Sequence, residues 1–316
     1  MATPITSIIH FYPMSGPSYL SLHHSGELSA RAAKAVSRLA DCRCCPRLCS
    51  VDRINDIRGA CGIGRNAAVC SYGPHLGEEA PLVGRHGSGT VFFGGCNMHC
   101  DYCQNHDISQ GPVGLEVDAH RLAGMMIDLQ RMGCHNINLV SPSHVIPQIL
   151  EALDLAAGKG LRLPLVYNSG GYDRVEALRL LDGVVDIYMP DAKYDDPEVA
   201  WRLSHVKDYP VVMRSALKEM HRQVGDLVVE DGVAVRGMII RHLVLPERLA
   251  GSEGVMAFIA EELSRGSYVN IMDQYRPCHK VVGSQEPAHR ALKRRIRPEE
   301  FRDAKRAAAH HGLRRG

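Results

Sequence analysis

Cys96, Cys100 and Cys103 stand in the run Gly94-Gly95-Cys96-Asn97-Met98-His99-Cys100-Asp101-Tyr102-Cys103, a C-x3-C-x2-C spacing with an aromatic directly before the last cysteine. Three thiolates can hold three irons of a [4Fe–4S] cluster, whereas a structural or electron-transferring cluster normally takes four cysteines. A triad therefore leaves one iron open, and an open metal position is where chemistry happens. The plainer alternatives are a structural zinc site or scattered buried thiols. Structural zinc wants four ligands, so the triad, its aromatic and its Gly-Gly lead-in point to the cluster.

A second group of thiols lies upstream. Cys42-x2-Cys45-x3-Cys49-x11-Cys61 supplies four thiolates, enough for zinc or for a second [4Fe–4S] cluster. Cys44 adjoins Cys45 and can substitute for a neighbour. The surrounding residues 41–75 are rich in Cys, Arg, Gly and Pro and poor in periodic apolar positions, which suggests a module stapled by metal more than by burial. Cys70, Cys134 and Cys278 read as lone thiols.

These groups need a frame. From Gly26 to Leu39 the apolar spacing of Leu28, Ala32, Ala35, Val36 and Leu39 fits a short amphipathic helix. After Gly87-Ser88-Gly89 short apolar runs alternate with helical periodicity. Strands are expected at Thr90–Phe93, Asn136–Val140, Leu163–Tyr167, Val185–Met189, Pro210–Met213, Met238–Leu245 and Tyr268–Met272. Helices are expected at Ala119–Met132, Val145–Gly158, Arg174–Leu181, Glu198–Leu203 and Gly251–Leu263. Alternation of this kind implies a parallel α/β sheet with right-handed crossovers. Roughly six units fit, fewer than the eight of a closed barrel, so the expected fold is a partial (β/α)6 TIM-like barrel with an N-terminal cysteine-rich module. The expected divisions are a lead-in and helix over 1–40, with 1–18 irregular, the cysteine-rich module over 41–86, the barrel over 87–289 and a basic C-terminal helix or tail over 290–316.

In barrels the site lies at the C-terminal ends of the strands, and the unusual polar residues fall there. The triad follows the first strand and Ser141-Pro142-Ser143-His144 the second. Asn168-Ser169 follows the third, and Asp191-Ala192-Lys193 the fourth. His242 lies within a later strand as at most a lining residue, and Gln274-Tyr275-Arg276 follow the last. His144 can equally cap the helix that begins beside it.

The chain has 316 residues, of which 45% are hydrophobic and 23% charged, a globular balance that argues against disorder. Its formal charge of +2 suggests no class of partner. The Lys/Arg run over 290–316 reads as a solvated terminal helix beginning after Pro298; no aromatics interleave it as in a nucleic-acid stacking surface. RNA modification has no other support. No apolar run suits a membrane helix, and the first residues lack a signal-peptide pattern. The expectation is a cytoplasmic protein without membrane contact, in which eleven cysteines serve as metal ligands and free thiols more than as disulfides.

The triad with its aromatic resembles the radical S-adenosylmethionine (SAM) superfamily. More narrowly, the chain is similar to pyruvate-formate-lyase-activating-enzyme-like (PflX-type) proteins. That likeness rests on Tyr19–Leu28 (YLSLHHSGEL), Cys42–Arg53 (CRCCPRLCSVDR), Gly59–Gly64 (GACGIG), His75–Gln110, Asn138–Leu150 (NLVSPSHVIPQIL), Tyr167–Asp173 (YNSGGYD) and Asp186–Tyr194 (DIYMPDAKY). The resemblance implies that a flavodoxin- or ferredoxin-type donor reduces the cluster and that SAM is cleaved to methionine and a 5′-deoxyadenosyl radical. The radical would take hydrogen from a held substrate: a protein or peptide, such as the glycine of a glycyl radical enzyme, or a small metabolite. It implies that Cys96, Cys100 and Cys103 bind the cluster and that Tyr102 lies near the adenine. Asn168 and Ser169 would contact the ribose, and Ser141, Ser143 and His144 occupy the position where many members carry Gly-Gly-Glu for the methionine amino group. This chain lacks that motif. Asp191 and Lys193 match the Asp-x-Lys element, whose lysine pairs with the methionine carboxylate. A competing class is a non-catalytic iron–sulfur scaffold or electron-transfer protein, which would need neither an open iron nor polar residues at the strand ends.

Overall fold

A computed structural model of the chain describes residues 16–111 and 114–316, so most of the lead-in expected over 1–18 lies outside the described residues. The strands are β1 (Ala67–His75), β2 (Ser88–Phe93), β3 (Leu115–Val117), β4 (Ile137–Val140), β5 (Leu165–Ser169), β6 (Ile187–Pro190), β7 (Val228–Glu230), β8 (Val233–Leu243) and β9 (Tyr268–Met272). They form one sheet in the order β3-β1-β2-β4-β5-β6-β8-β7, with β9 also on β8. From β2 through β4, β5, β6 and β8 to β9 every pairing is parallel. That is the expected six-unit partial barrel. The antiparallel β1 and β3 extend one edge, so residues 67–86, grouped with the cysteine module on sequence grounds, contribute a strand to the sheet.

The helices are α1 (Tyr19–His24), α2 (Glu27–Ser37), α3 (Ala80–Val83), α4 (His106–Ser109), α5 (Ala119–Arg131), α6 (Ile146–Gly158), α7 (Val175–Leu178), α8 (Pro197–Ser204), α9 (Tyr209–Val224), α10 (Ser252–Phe258) and α11 (Pro298–His310). Asp118 caps α5 by accepting from Arg121 N at 2.8 Å, and Asp196 caps α8 by accepting from Glu198 N at 2.7 Å, each satisfying a backbone donor that the first turn leaves open. The strand expected at Pro210–Met213 is instead the first turn of α9. Proline at a first-turn position costs a helix nothing, and buried Pro210, Met213, Ala216, Leu217, Met220 and Val224 recur at three- and four-residue intervals. A four-residue window saw only the valines and missed the longer period. Among the described residues no helix is long and apolar enough to cross a membrane.

Residues on the central strands alternate between two environments, as the pleat requires. Ile137, Leu139, Leu165, Tyr167, Tyr188 and Ile240 join the large core beneath the helices. Val166, Ile187, Met189 and Ile239 face the other way and cluster with Leu82 of α3. The β1–β2 connection thus plugs the barrel interior from the N-terminal ends of the strands. It also carries Glu78 and Glu79 inside, where Glu78 reaches Asn138 on β4 and Glu79 reaches Asn270 on β9.

Candidate active site

The triad begins where β2 runs out. Gly94 N donates to Ala68 O and Gly95 N to Ile108 O, so the backbone turns sharply into Cys96. Gly95 has φ +75°, and a Cβ there would stand 2.4 Å from the Cys61 carbonyl oxygen. Both facts demand glycine. Each sulfur has a polar neighbour: Met98 N donates to Cys96 Sγ at 3.3 Å, Ser204 Oγ donates to Cys100 Sγ at 3.0 Å, and Cys103 Sγ and Ser109 Oγ lie 3.3 Å apart. Burial pushes the Cys96 thiol up to about 12 and the Cys100 thiol up to about 11. Thiolates are the ligating form, and a bound metal deprotonates the thiol outright. Three sulfurs on one short loop with hydrogen-bonding groups turned toward them, in a pocket that disfavours free thiolates, fit a site completed by a cationic metal cluster.

Asp101, between two of the cysteines, anchors this loop. Its carboxylate is buried and meets Lys280 Nζ at 3.0 Å, His205 Nε2 at 3.0 Å and His289 Nε2 at 3.1 Å. Burial alone would raise its pKa, but the hydrogen bonds from these three side chains hold it below the usual carboxylate value. Tyr102 is buried; it accepts a hydrogen bond from Tyr194 Oη at 2.6 Å and packs edgewise on Tyr194 and Tyr275.

The remaining expected residues divide into two sets. Ser143 and Ser169, with Tyr167, direct their hydroxyls at the buried carboxylate of Asp173: Tyr167 Oη at 2.8 Å, Ser169 Oγ at 2.6 Å and Ser143 as a further donor. Ser141, at the end of β4, is held at φ +59°, a conformation a non-glycine residue keeps only where its surroundings enforce it. His144 turns away from the barrel. Its Nε2–H donates to Gly94 O at 2.9 Å, and burial pushes the imidazole down to about 4, which leaves it neutral. His242 is fully buried between Ala192 O and Ser252 Oγ and serves the fold. Asp173→Ala leaves three buried hydroxyls without an acceptor; the expected loss is roughly 3 kcal/mol in urea denaturation, and a change below about 0.5 kcal/mol contradicts this assignment.

Asn168, Asp191 and Lys193 come together in the barrel mouth. Lys193 Nζ donates to Asp191 Oδ2 at 2.5 Å, and Arg241 Nε donates to Asp191 Oδ1 at 2.9 Å. Arg241 Nη2 donates to Asn168 Oδ1 at 2.7 Å, and its Nη1 lies 3.7 Å from Glu78 Oε1. Burial opposes the charge on each group, yet Arg241 and Lys193 hold Asp191 below its usual value, and Asp191 in turn holds Lys193 above its own. Met98 Sδ and Lys193 Cε both approach Gly170, which sets this network beside the triad loop. Glu78, Glu79 and Arg241 escaped the sequence reading. The only available signal was period-two placement of Arg241 inside a strand expected to be buried.

The N-terminal cysteines line one pocket: Cys42, Cys44, Cys45, Cys49 and Cys61, together with Arg53 and His144. A hydrogen bond from Cys44, countered by burial and aided by Arg53, lowers Cys42 to about 5, while burial raises Cys45 to about 12. Arg53 is 1% exposed. Its Nε donates to Gly64 O at 3.0 Å and its Nη1 to His144 O at 2.7 Å, with Cys42 Sγ 3.6 Å away. Its Nη2 has no partner among the described residues. The module is clamped to the triad loop by Arg47 Nε donating to Asn97 O at 2.8 Å and by His99 Nε2–H donating to Ala60 O at 3.0 Å. Of the cysteines expected to stand alone, Cys278 donates to Tyr102 O at 3.0 Å.

Comparison with known proteins meets this geometry from outside. An uncharacterized protein of Methanocaldococcus jannaschii is 33% identical over 294 residues, covering 91% of this chain and 79% of the relative. Among solved structures, the FeFe-hydrogenase maturase HydG from Carboxydothermus hydrogenoformans superposes with a TM-score of 0.47 at 12% identity, over 69% of this chain and 49% of that one. A second HydG structure gives 0.46 at 12% identity, over 70% and 48%. This chain thus spans about half the length of those solved chains. The family model described as Radical SAM superfamily matches residues 90–239, from the strand that launches the triad to the one that carries Arg241. With a triad rather than a tetrad of thiols at the end of the first parallel strand, the chain belongs to the radical SAM superfamily.

Proposed function

We propose that the protein cleaves SAM reductively at Cys96, Cys100 and Cys103 and abstracts hydrogen from a polar substrate held in the barrel. The observation that carries this reading is the placement of Lys193, a half-buried and paired ammonium group, beside a three-cysteine loop at the strand ends. The bound cluster would supply the electron that breaks the sulfonium S–C5′ bond. The chain's own residues bind and orient. Asp191 and Arg241 fix the Lys193 side chain so that its ammonium meets a carboxylate without first losing rotamer freedom. Tyr102, Tyr194 and Tyr275 wall the loop with rings and keep water from the reacting centre.

The substrate meets a floor of carboxylates and amides. Glu78 Oε2 accepts from Asn138 Nδ2 at 2.9 Å, while the buried Asn138 Oδ1 has no partner among the described residues. Glu79 accepts from Asn270 Nδ2 at 2.8 Å. With Glu78, Glu79 and Asp191 facing Arg241 and Lys193, carboxylates outnumber cations, so the floor suits a substrate group that donates hydrogen bonds or carries positive charge. Activation of a glycyl radical enzyme is the narrower reading that the resemblance implies; the unclosed barrel supports it by leaving room for a backbone loop.

The test is anaerobic reconstitution with iron and sulfide followed by SAM and dithionite. The expected products are 5′-deoxyadenosine and methionine in equal amounts. A reconstituted protein that binds SAM and releases neither product is a metal scaffold and not an enzyme of this class. Incubation with a glycyl radical enzyme then separates the substrate readings: a protein-based glycyl signal in the electron paramagnetic resonance (EPR) spectrum supports the activase, and its absence favours a small polar substrate.

A further inference from the structure

We infer that the five-cysteine pocket is an iron–sulfur site and that electrons enter the protein there on their way to Cys96, Cys100 and Cys103. The inference rests on the SAM-cleaving reading above, since it supplies that reaction's electron.

The class of metal follows from how the thiols are spread. A single zinc ion draws its ligand atoms into one small tetrahedron. Among the described residues, the group whose ligand atoms all lie within 4.8 Å of one another is Glu253, His310 and His311, at the molecular surface, and not any three of the pocket's cysteines. Five sulfurs facing one pocket at wider spacing suit a larger inorganic body, for which Cys42, Cys45, Cys49 and Cys61 provide four ligands. Cys44 is left as a neighbour able to hydrogen-bond a ligating sulfur.

Arg53 gives the sign of the charge. A guanidinium taken out of water needs a counter-charge, and an unpaired one costs several kcal/mol. No carboxylate lines this pocket, and Arg53 Nη1 faces Cys42 Sγ while Nη2 has no partner among the described residues. Thiolates bound to a cluster are anionic and supply what Arg53 lacks. A buried cation beside a redox centre also favours its reduced, more negative state.

The position of the pocket gives the role. Cys61 O lies against Gly95, whose missing side chain would stand 2.4 Å from that oxygen, and Gly95 adjoins Cys96. A second link runs from Arg53 to His144 O and from His144 Nε2 to Gly94 O. Cys61 of the pocket therefore packs directly against the glycine that precedes Cys96 of the triad. The pocket is reachable from outside the barrel, with Cys44, Cys49 and Cys61 partly open to solvent. In each transfer one electron leaves a reduced donor protein of the flavodoxin or ferredoxin class, which is oxidised by one electron. The pocket site is reduced by one electron and reoxidised as it passes that electron to the triad site. No bond forms or breaks and no proton moves.

The experiment uses full-length protein reconstituted anaerobically. In the triple variant Cys96→Ala/Cys100→Ala/Cys103→Ala, the pocket is expected to retain about four irons per chain, with an EPR signal on reduction that SAM does not alter. About one zinc and no iron in that variant overturns the site class. In the same background Arg53→Met lowers the midpoint potential of that signal and Arg53→Lys restores most of it; an unmoved potential in folded protein overturns the role of Arg53. In the otherwise native chain, Cys45→Ala/Cys49→Ala is judged by the ratio of reduction of the triad site by flavodoxin hydroquinone to reduction by dithionite, read by freeze-quench EPR. At least a tenfold fall in the ratio is expected, and an unchanged ratio overturns the relay. Circular dichroism melting confirms that the variants fold. Iron analysis and redox titration of the triple variant involve no SAM cleavage, so failure of the radical SAM reading appears separately, as wild type that makes no 5′-deoxyadenosine with dithionite.

Discussion

Cys100→Ala is expected to abolish 5′-deoxyadenosine formation to background and to remove about four irons per chain. With two thiols left, the loop offers fewer ligands than a cluster needs, and Ser204, which donates to the Cys100 sulfur at 3.0 Å, loses its acceptor. The matching control is Cys278→Ala. That thiol donates to the Tyr102 carbonyl at 3.0 Å and lies outside the triad, so its removal loses one neutral hydrogen bond, worth about 1 kcal/mol, and keeps the iron. Paired iron analysis and product assay decide the matter. If Cys100→Ala holds its iron and still forms 5′-deoxyadenosine, the catalytic centre is not this triad.

Asp191→Asn is expected to cost about 3–5 kcal/mol of stability and to weaken SAM binding at the same time. Lys193 and Arg241 share this carboxylate at 2.5 and 2.9 Å. Neutralising it leaves two like charges facing each other where little water reaches them, which is costlier than never having built the pair. The wild-type pH profile carries the same signature. Arg241 and Lys193 hold the folded-state pKa of Asp191 below its unfolded value despite burial. Its contribution is therefore fully present above about 3.9, the ordinary aspartate value, and is lost as pH falls through the lower folded value. Urea denaturation from neutral to acidic pH should show that slope in wild type and a shallower one in Asp191→Asn. Parallel slopes, or a loss under about 1 kcal/mol, mean that the network is a solvated surface pair.

Some elements were readable because their cause is local. The amphipathic periods over Ala119–Met132 and Val145–Gly158 match α5 and α6 to within a residue at each end, and Tyr268–Met272 coincides with β9. Their patterns are complete within one element. Pro210–Met213 misled because four residues cannot distinguish a buried strand from a helix turn when the deciding contacts at Ala216, Leu217 and Met220 come later. The edge strands β1 and β3 and the plug α3 were missed for a related reason. β3 (Leu115–Val117) and α3 (Ala80–Val83) are too short to carry a period, and β1 does not alternate; they are held by strand pairing and by Leu82 entering the barrel, neither of which has a local period.

The site divides along the same line. By itself the sequence determined the set of three thiols, since C-x3-C-x2-C lies on one short loop and its count does not depend on the rest of the chain. It also determined that polar residues sit at the ends of parallel strands, because strand length and alternation place them there. Only the tertiary structure decided which of those residues share a site. Arg241 meets Asp191 and Asn168 through strand register across 50 and 73 residues of sequence, Glu78 arrives from below on a plug, and His144 leaves the barrel to hold Gly94. The same structure set Cys61 against Gly95 and buried Arg53 among the thiols. Contacts of this kind depend on long-range packing and on the desolvation of charge, and neither leaves a mark in the spacing of neighbouring residues.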